Sequence, residues 1–205
     1  MSIQPVYVMG PSGAGKDSVL AWLVGHWPPQ APWPGVHLAR RTITRPQVPG
    51  GEAHEAVSPA EFARLLAAGL FALHWQANGQ HYGIRTTELE PPGATHLCVL
   101  VNGSRAHVAQ AVARYPQLAV VHLTAPRALL AQRLQHRQRE RLADIRARLD
   151  RPTALPDMHQ LCPGRWWEVS NTGALDAAGA QVLAALRPLL QAASAGATCL
   201  APPRG

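Results

Sequence analysis

Near its N-terminus the chain reads Gly10-Pro11-Ser12-Gly13-Ala14-Gly15-Lys16-Asp17-Ser18. Just before this stretch, Ile3 to Met9 is a β-branched and aromatic run that predicts a short strand, with Pro5 near its start. Just after it, Val19, Leu20, Trp22 and Leu23 fall at helical spacing. Strand, glycine-rich turn and helix form the context in which G-x-x-x-x-G-K holds a triphosphate. The glycines let successive backbone N–H groups converge on phosphate oxygens. The helix N-terminus adds partial positive charge, and Lys16 reaches the β- and γ-phosphates. Every residue from Gly10 to Ser18 is therefore a candidate for nucleotide binding.

Position 17 departs from that pattern. A Ser or Thr there normally gives its hydroxyl to Mg²⁺, whereas Asp17 brings a carboxylate that repels a triphosphate unless a cation lies between them. Asp17 and Ser18 are both candidate metal ligands. The Ser18 hydroxyl adds no charge conflict, which makes it the expected nearer one.

Lys16 is the only lysine among 205 residues, against 18 arginines. Such a bias also arises from simple genome composition, and in that case the position of the surviving lysine is informative. With 19 basic and 12 acidic residues the net charge is +7, which favours anionic partners without naming one. Charged residues at 15% and apolar residues at 47% exclude a disordered polyelectrolyte and suffice for a normal core. No apolar run approaches the roughly 18 residues of a membrane span, so a cytoplasmic chain without a membrane partner is expected. Cys98, Cys162 and Cys199 are odd in number and widely spaced, giving neither a disulfide framework nor a CxxC metal pair.

Beyond the first helix, His26 to Gly35 carries four prolines and predicts a loop, and Val36 to Thr44 predicts one strand ending at Arg45-Pro46. Ser58-Pro59-Ala60-Glu61 is a capping box that opens a helix to about Ala68, closed by Gly69. Leu70 to Ile84, with Asn78-Gly79 inside it, predicts a hairpin. Thr95–Val101 and Leu118–Thr124 are continuous apolar runs of the kind buried in a parallel sheet, and Trp166–Ser170 is a short last strand. Helices are expected over Ser104–Arg114, from Pro126, and over Ala174–Ala193.

Strands alternating with helices give an α/β fold, a three-layer sandwich around a central parallel sheet with the nucleotide at the carboxyl end of the first strand. One domain is expected over residues 1–193. Its core is 1–35 and 94–193, its acceptor-binding excursion about 36–90 and its helical Arg-rich lid about 136–151, with a tail at 194–205.

Eight arginines lie between Arg127 and Arg151, and Arg133, Arg137 and Arg141 repeat every four residues. Like charges stacked this way cost stability unless anions or Glu140 and Asp144 relieve them. A salt-bridged surface helix would account for them, as would a lid that closes over phosphates. Arg40, Arg41 and Arg45 form a second group, suited to bidentate capture of an acceptor phosphate. A nucleic-acid partner is not expected: aromatic residues are 5% of the chain, and the charges gather in two short clusters instead of covering a face.

These residues resemble the guanylate-kinase-like branch of the P-loop kinases, and within it the ribose 1,5-bisphosphate phosphokinase family of phosphonate catabolism. The resemblance runs from about Pro5 to Leu190. It is carried by the loop at 10–18, Arg-Thr-Ile-Thr-Arg-Pro at 41–46, Gly-Gly-Glu-Ala-His at 50–54 and Phe-Ala-Leu-His-Trp-Gln-Ala-Asn-Gly at 71–79. His81-Tyr82-Gly83, Val-Asn-Gly-Ser-Arg-Ala-His at 101–107 and the Arg-rich run 133–140 complete it. The resemblance implies ATP with Mg²⁺ as donor and ribose 1,5-bisphosphate, a small phosphorylated sugar, as acceptor. The γ-phosphoryl would pass to the 1-phosphate to give 5-phospho-α-D-ribose 1-diphosphate. It also implies catalytic roles for Lys16 and for Arg137 and Arg148 as lid arginines. Asn171 would lie at the adenine-side loop, and Arg41, Arg45, Glu52, His54, Asn78, Tyr82 and Asn102 on the acceptor side.

Three departures from guanylate kinases bear on the acceptor. The second acceptor arginine is missing, with Val48 near its place, and the Tyr-His-Phe run is replaced by Ala53-His54-Glu55-Ala56-Val57. The strand ending at Val101 delivers Asn102 where an aspartate would anchor the Mg²⁺ water shell, a loss that Asp17 could offset. A phosphate acceptor is already an anion, so no catalytic base is required and His54, His74, His81 and His107 are expected to be structural or positioning. The alternatives are a guanylate-type nucleoside monophosphate kinase and a non-catalytic kinase-like interaction module. The intact Gly15-Lys16 pair speaks against the second.

Overall fold

The structure is a computed structural model that describes residues 2–29, 33–48, 52–94, 96–136 and 154–198. Its five-stranded sheet is built from β1 (Ser2–Met9), β2 (Gly35–Leu38), β7 (His96–Asn102), β8 (Ala119–Thr124) and β9 (Trp166–Ser170). The order is β2-β7-β1-β8-β9 and every pairing is parallel.

Both faces of this sheet are covered, which is why its strands are continuously apolar. Val6 and Val8 of β1 face α1 (Lys16–Gly25) and α7 (Leu175–Thr198) through Val19, Leu20, Leu23, Val182 and Leu186. Tyr7 and Met9, one residue out of phase, face α4 (Val108–Arg114) and a second sheet. Helices, sheet and helices make the expected three-layer α/β sandwich. α7 continues past residue 193 into the segment expected as a tail. No helix among the described residues is long and apolar enough to cross a membrane.

The second sheet is the excursion. It consists of β3 (Arg41–Ile43), β4 (Glu55–Ala56), β5 (Phe71–Ala77) and β6 (Gln80–Arg85) in the order β4-β3-β6-β5. β5 and β6 form the expected hairpin. Its turn residues Asn78 and Gly79 have φ of 51° and 70°, the pair of left-handed residues that a tight two-residue turn demands. α2 (Pro59–Ala67) starts on Ser58, whose hydroxyl accepts the Glu61 N–H at 3.1 Å. The reciprocal half of the capping box is not made, because the Glu61 carboxylate turns to Arg64 at 2.7 and 2.8 Å.

The expectation of one strand over Val36–Thr44 is corrected. The run divides into β2 in the parallel sheet and β3 in the excursion sheet, two residues apart. Ala39 still donates to Leu100 O at 2.9 Å on β7, while the Arg40 N–H donates to Glu88 Oε2 at 2.9 Å, on α3 (Thr86–Leu89) beside the excursion sheet. A carboxylate 48 residues away ends the first strand, and no local pattern announces it. Three further short helices, a 3₁₀ turn (Arg105–His107), α5 (Arg127–His136) and α6 (Met158–Leu161), complete the described elements.

Candidate active site

The sheet order reverses on either side of β1: β7 lies to one side and β8 to the other. The crevice at their carboxyl ends is where α/β folds of this kind hold ligands. Here the crevice is a cleft of about 290 Å³ between the glycine-rich loop and the excursion sheet.

The loop shapes one wall. Gly13 and Gly15 have φ of 85° and 84°, so a side chain at either would be strained, and a Cβ on Gly15 would fall 2.5 Å from Asn171 Nδ2. Gly15 is the N-cap of α1 and offers no side chain there, which leaves the helix N-terminus open to an anion. Lys16 Nζ donates to the loop's own carbonyls, Gly10 O at 2.9 Å and Pro11 O at 3.2 Å. Gly10, Ser12, Gly13, Gly15, Lys16 and Asp17 line the cleft. Ala14 is buried, and Pro11 and Ser18 do not line it.

Asn171 is placed beneath the loop. It is 4% exposed, its N–H donates to Thr124 O at 2.8 Å, and its Nδ2 donates to Ala14 O at 2.8 Å. It therefore ties the loop to the end of β8. Arg133 on α5 approaches the same loop, with Nη1 3.5 Å from Gly13 O. Arg137 and Arg148 lie outside the described residues.

Across the cleft stand Arg41, Arg45, Glu52, Asn78 and Tyr82, together with Trp75, Gln76 and Ala77, which the sequence did not single out. Arg41 is engaged. It forms a two-pronged pair with Glu52, and its guanidinium lies 5.4 Å from the centre of the Tyr82 ring. Tyr82 in turn stacks on Trp75 at 5.6 Å with rings 2° from parallel. Arg45 is exposed at the rim. His54 does not reach the cleft. It is 2% exposed, and its ring nitrogens contact Glu52 O at 3.0 Å and Arg45 O at 2.9 Å, bracing the backbone that carries both residues. Deeper in the excursion sheet, Arg85 pairs with Glu55 at 2.6 and 2.8 Å, and Thr42 donates to Glu55 at 2.7 Å.

The floor is the turn after β7. Asn102 is 4% exposed, and its Nδ2 donates to Asp17 Oδ1, while its Oδ1 is buried and has no hydrogen-bond partner. The opposite amide orientation would set that oxygen against a carboxylate, so the orphan oxygen follows from the Asp17 contact. The Asp17 carboxylate, which lines the cleft, is a hard oxygen donor of the type that suits Mg²⁺. Arg41 stands 3.9 Å from the same Asp17 oxygen.

Gly103, Ser104, Arg105 and Ala106 continue the floor. Arg105 lies inside the Val-Asn-Gly-Ser-Arg stretch, but sequence spacing does not show which way a residue following a strand points, so its place in the cleft comes from the structure alone. Burial pushes its guanidinium down from the ordinary arginine value. Nearby, burial first and then the charges of Arg105 and Lys16 push the His122 imidazole down, although Glu168 pulls the other way. His122 is therefore neutral at physiological pH.

No protein-family model matches the chain. A ribose 1,5-bisphosphate phosphokinase PhnN of Pseudomonas fluorescens is 51% identical over 146 residues, 71% of this chain and 74% of that one. One from Burkholderia mallei is 43% identical over 186 residues, 90% of this chain and 95% of that one. Among solved structures, guanylate kinase from Anaplasma phagocytophilum superposes with a TM-score of 0.65 at 16% identity, covering 90% of this chain and 85% of that one, a likeness of fold. The chain, a P-loop kinase by its loop and its sheet, belongs to the ribose 1,5-bisphosphate phosphokinase family.

Proposed function

We propose that this chain transfers the γ-phosphoryl of ATP to the 1-phosphate of ribose 1,5-bisphosphate, giving 5-phospho-α-D-ribose 1-diphosphate in phosphonate catabolism. The observation that carries this reading is what the cleft lacks. Among the described residues its only carboxylates are Asp17, bonded to Asn102, and Glu52, paired with Arg41, and no histidine lines it. An alcohol acceptor needs a group to take its proton. A phosphate acceptor does not, and this cleft is furnished for the second case.

The residues then divide the work. The loop amides and Lys16 take the triphosphate, Lys16 exchanging the Gly10 and Pro11 carbonyls for phosphate oxygens. Asp17 would hold Mg²⁺, taking the part expected of Ser18, with the Asn102 amide fixing its carboxylate. Bound Mg²⁺ would neutralise charge between donor and acceptor. Arg45 and Tyr82 face the acceptor, and the fixed Arg41–Glu52 pair keeps the Tyr82 ring in place. Arg137 and Arg148 are proposed to supply lid charge, and the approach of Arg133 to the loop supports an α5 that leads toward the phosphates. Free, buried Cys98 and Cys162 suit a reducing, cytoplasmic setting.

A coupled ADP-release assay tests the reading. Ribose 1,5-bisphosphate should support turnover and GMP should not. Equal or faster turnover with GMP would replace this reading with the nucleoside monophosphate kinase.

A further inference from the structure

Arg105 is half-buried at the floor of the cleft, and no carboxylate pairs with it among the described residues. Burial works against its charge. A desolvated cation without a counterion costs stability unless something else repays it, and here it faces the space a ligand would fill. The turn that carries it is also fixed. Tyr7, fully buried in β1, donates its hydroxyl to Ser104 O at 3.0 Å and accepts the Ser104 N–H at 2.8 Å. Gly103 lies flat on the Tyr7 ring, where a Cβ would collide with it. The turn that carries Arg105 is thereby bolted to the central strand, so its backbone is in place on the cleft floor before any ligand arrives.

Arg45 is the other arginine of the cleft with no ion-pair partner among the described residues, and it comes from the loop after β3 on the opposite wall. The third arginine that lines the cleft, Arg41, is already neutralised by Glu52. Two available guanidinium groups on two walls match a ligand that carries an anion at each end. We propose that Arg105 binds one of the two phosphates of the acceptor and selects a bisphosphate over a monophosphate, an inference that rests on the ribose 1,5-bisphosphate reading. Arg105 makes its contact by charge-assisted hydrogen bonds, and it takes no proton and breaks no bond.

Titration calorimetry without ATP tests it, with ribose 1,5-bisphosphate, ribose 1-phosphate and ribose 5-phosphate as probes on the wild-type chain, Arg105→Gln and Arg105→Lys. The bisphosphate should bind wild type about 10- to 100-fold more tightly than the monophosphate lacking the Arg105-bound phosphate, the range for hydrogen bonds between charged groups. Arg105→Gln should shrink that preference to about twofold, Arg105→Lys should keep part of it, and ATP affinity should stay unchanged. Because the variant removes a desolvated charge, its unliganded Tm should hold or rise, while the Tm gain from the bisphosphate disappears. A preference that survives in Arg105→Gln overturns the proposal, as does an equal loss of ATP affinity. Ribose 1,5-bisphosphate turnover by wild type with that preference intact in the variant overturns the role of Arg105 alone. A wild-type chain that neither binds nor turns over the bisphosphate overturns both.

Discussion

Replacing Asn171 with alanine separates two roles for a residue that the sequence placed beside the adenine. In the structure its amide is the donor for Ala14 O at 2.8 Å, across 157 residues of chain, and Ala14 itself is 0% exposed. Asn171→Ala leaves that carbonyl inside the protein with no donor, which costs about 1–3 kcal/mol. A chain of this length loses about 2–4 °C of Tm per kcal/mol, so a central cost of about 2 kcal/mol lowers Tm by about 4–8 °C. The loop also loses its tie to β8, and every ligand of the loop should suffer alike. Calorimetry with ATP, GTP and inorganic triphosphate should show all three weakened by a common factor, tenfold if about 1.4 kcal/mol of the brace is felt in binding. Asn171→Asp should be at least as damaging, since it turns an acceptor toward an acceptor. A variant that weakens ATP but leaves inorganic triphosphate untouched would refute the brace and return Asn171 to the base.

Lys16→Arg should lower kcat by about 100-fold or more, the loss typical of one preorganised donor, because a planar fork replaces a compact ammonium seated on Gly10 and Pro11; turnover near wild type would show the lone lysine to be replaceable. Asp17→Ala should raise the Mg²⁺ concentration for half-maximal turnover by about tenfold or more, and an unchanged titration would remove Asp17 from the metal site. The Arg85 hydrogen bonds hold the Glu55 carboxyl below its ordinary 4.5, aided by Thr42 and opposed by burial. A folded-state value depressed in this way stabilises the protein above about pH 4.5, and that contribution is lost as pH falls through the depressed value. Wild-type Tm should therefore fall more steeply below that pH than that of Glu55→Gln. Parallel curves would mean the pair carries no stability.

The legible parts of this molecule are those set by neighbours in sequence. The loop from Gly10 to Lys16 depends on glycine conformations, the hairpin on Asn78-Gly79, and the start of α2 on Ser58. Each is a local rule, and each is visible in a few residues. What the sequence concealed depends on partners far along the chain. Glu88 divides the run 36–44 between two sheets, and Asn171 reaches back across 157 residues to the Ala14 carbonyl. Tyr7 fixes the turn that brings Arg105 into the cleft. His54 looked available because a histidine in a loop carries no mark of the two carbonyls that enclose it. Ser18 looked the better metal ligand on charge alone, yet the geometry of α1 brings Asp17, not Ser18, to the cleft wall.

The two-residue link between β2 and β3 sets a length constraint on the whole enzyme. Ala39 is hydrogen-bonded to the sheet that carries the nucleotide loop, and the very next N–H, that of Arg40, is held by Glu88 beside the sheet that carries Tyr82. Side chains alternate along a strand, so one added residue here would exchange the faces of Arg41 and Thr42, breaking the Glu52 and Glu55 pairs together. The separation between the wall that carries the glycine-rich loop and the wall that carries Tyr82 is thus gauged by a single peptide unit. Substitutions at this point leave the gauge standing, and a change of length resets it.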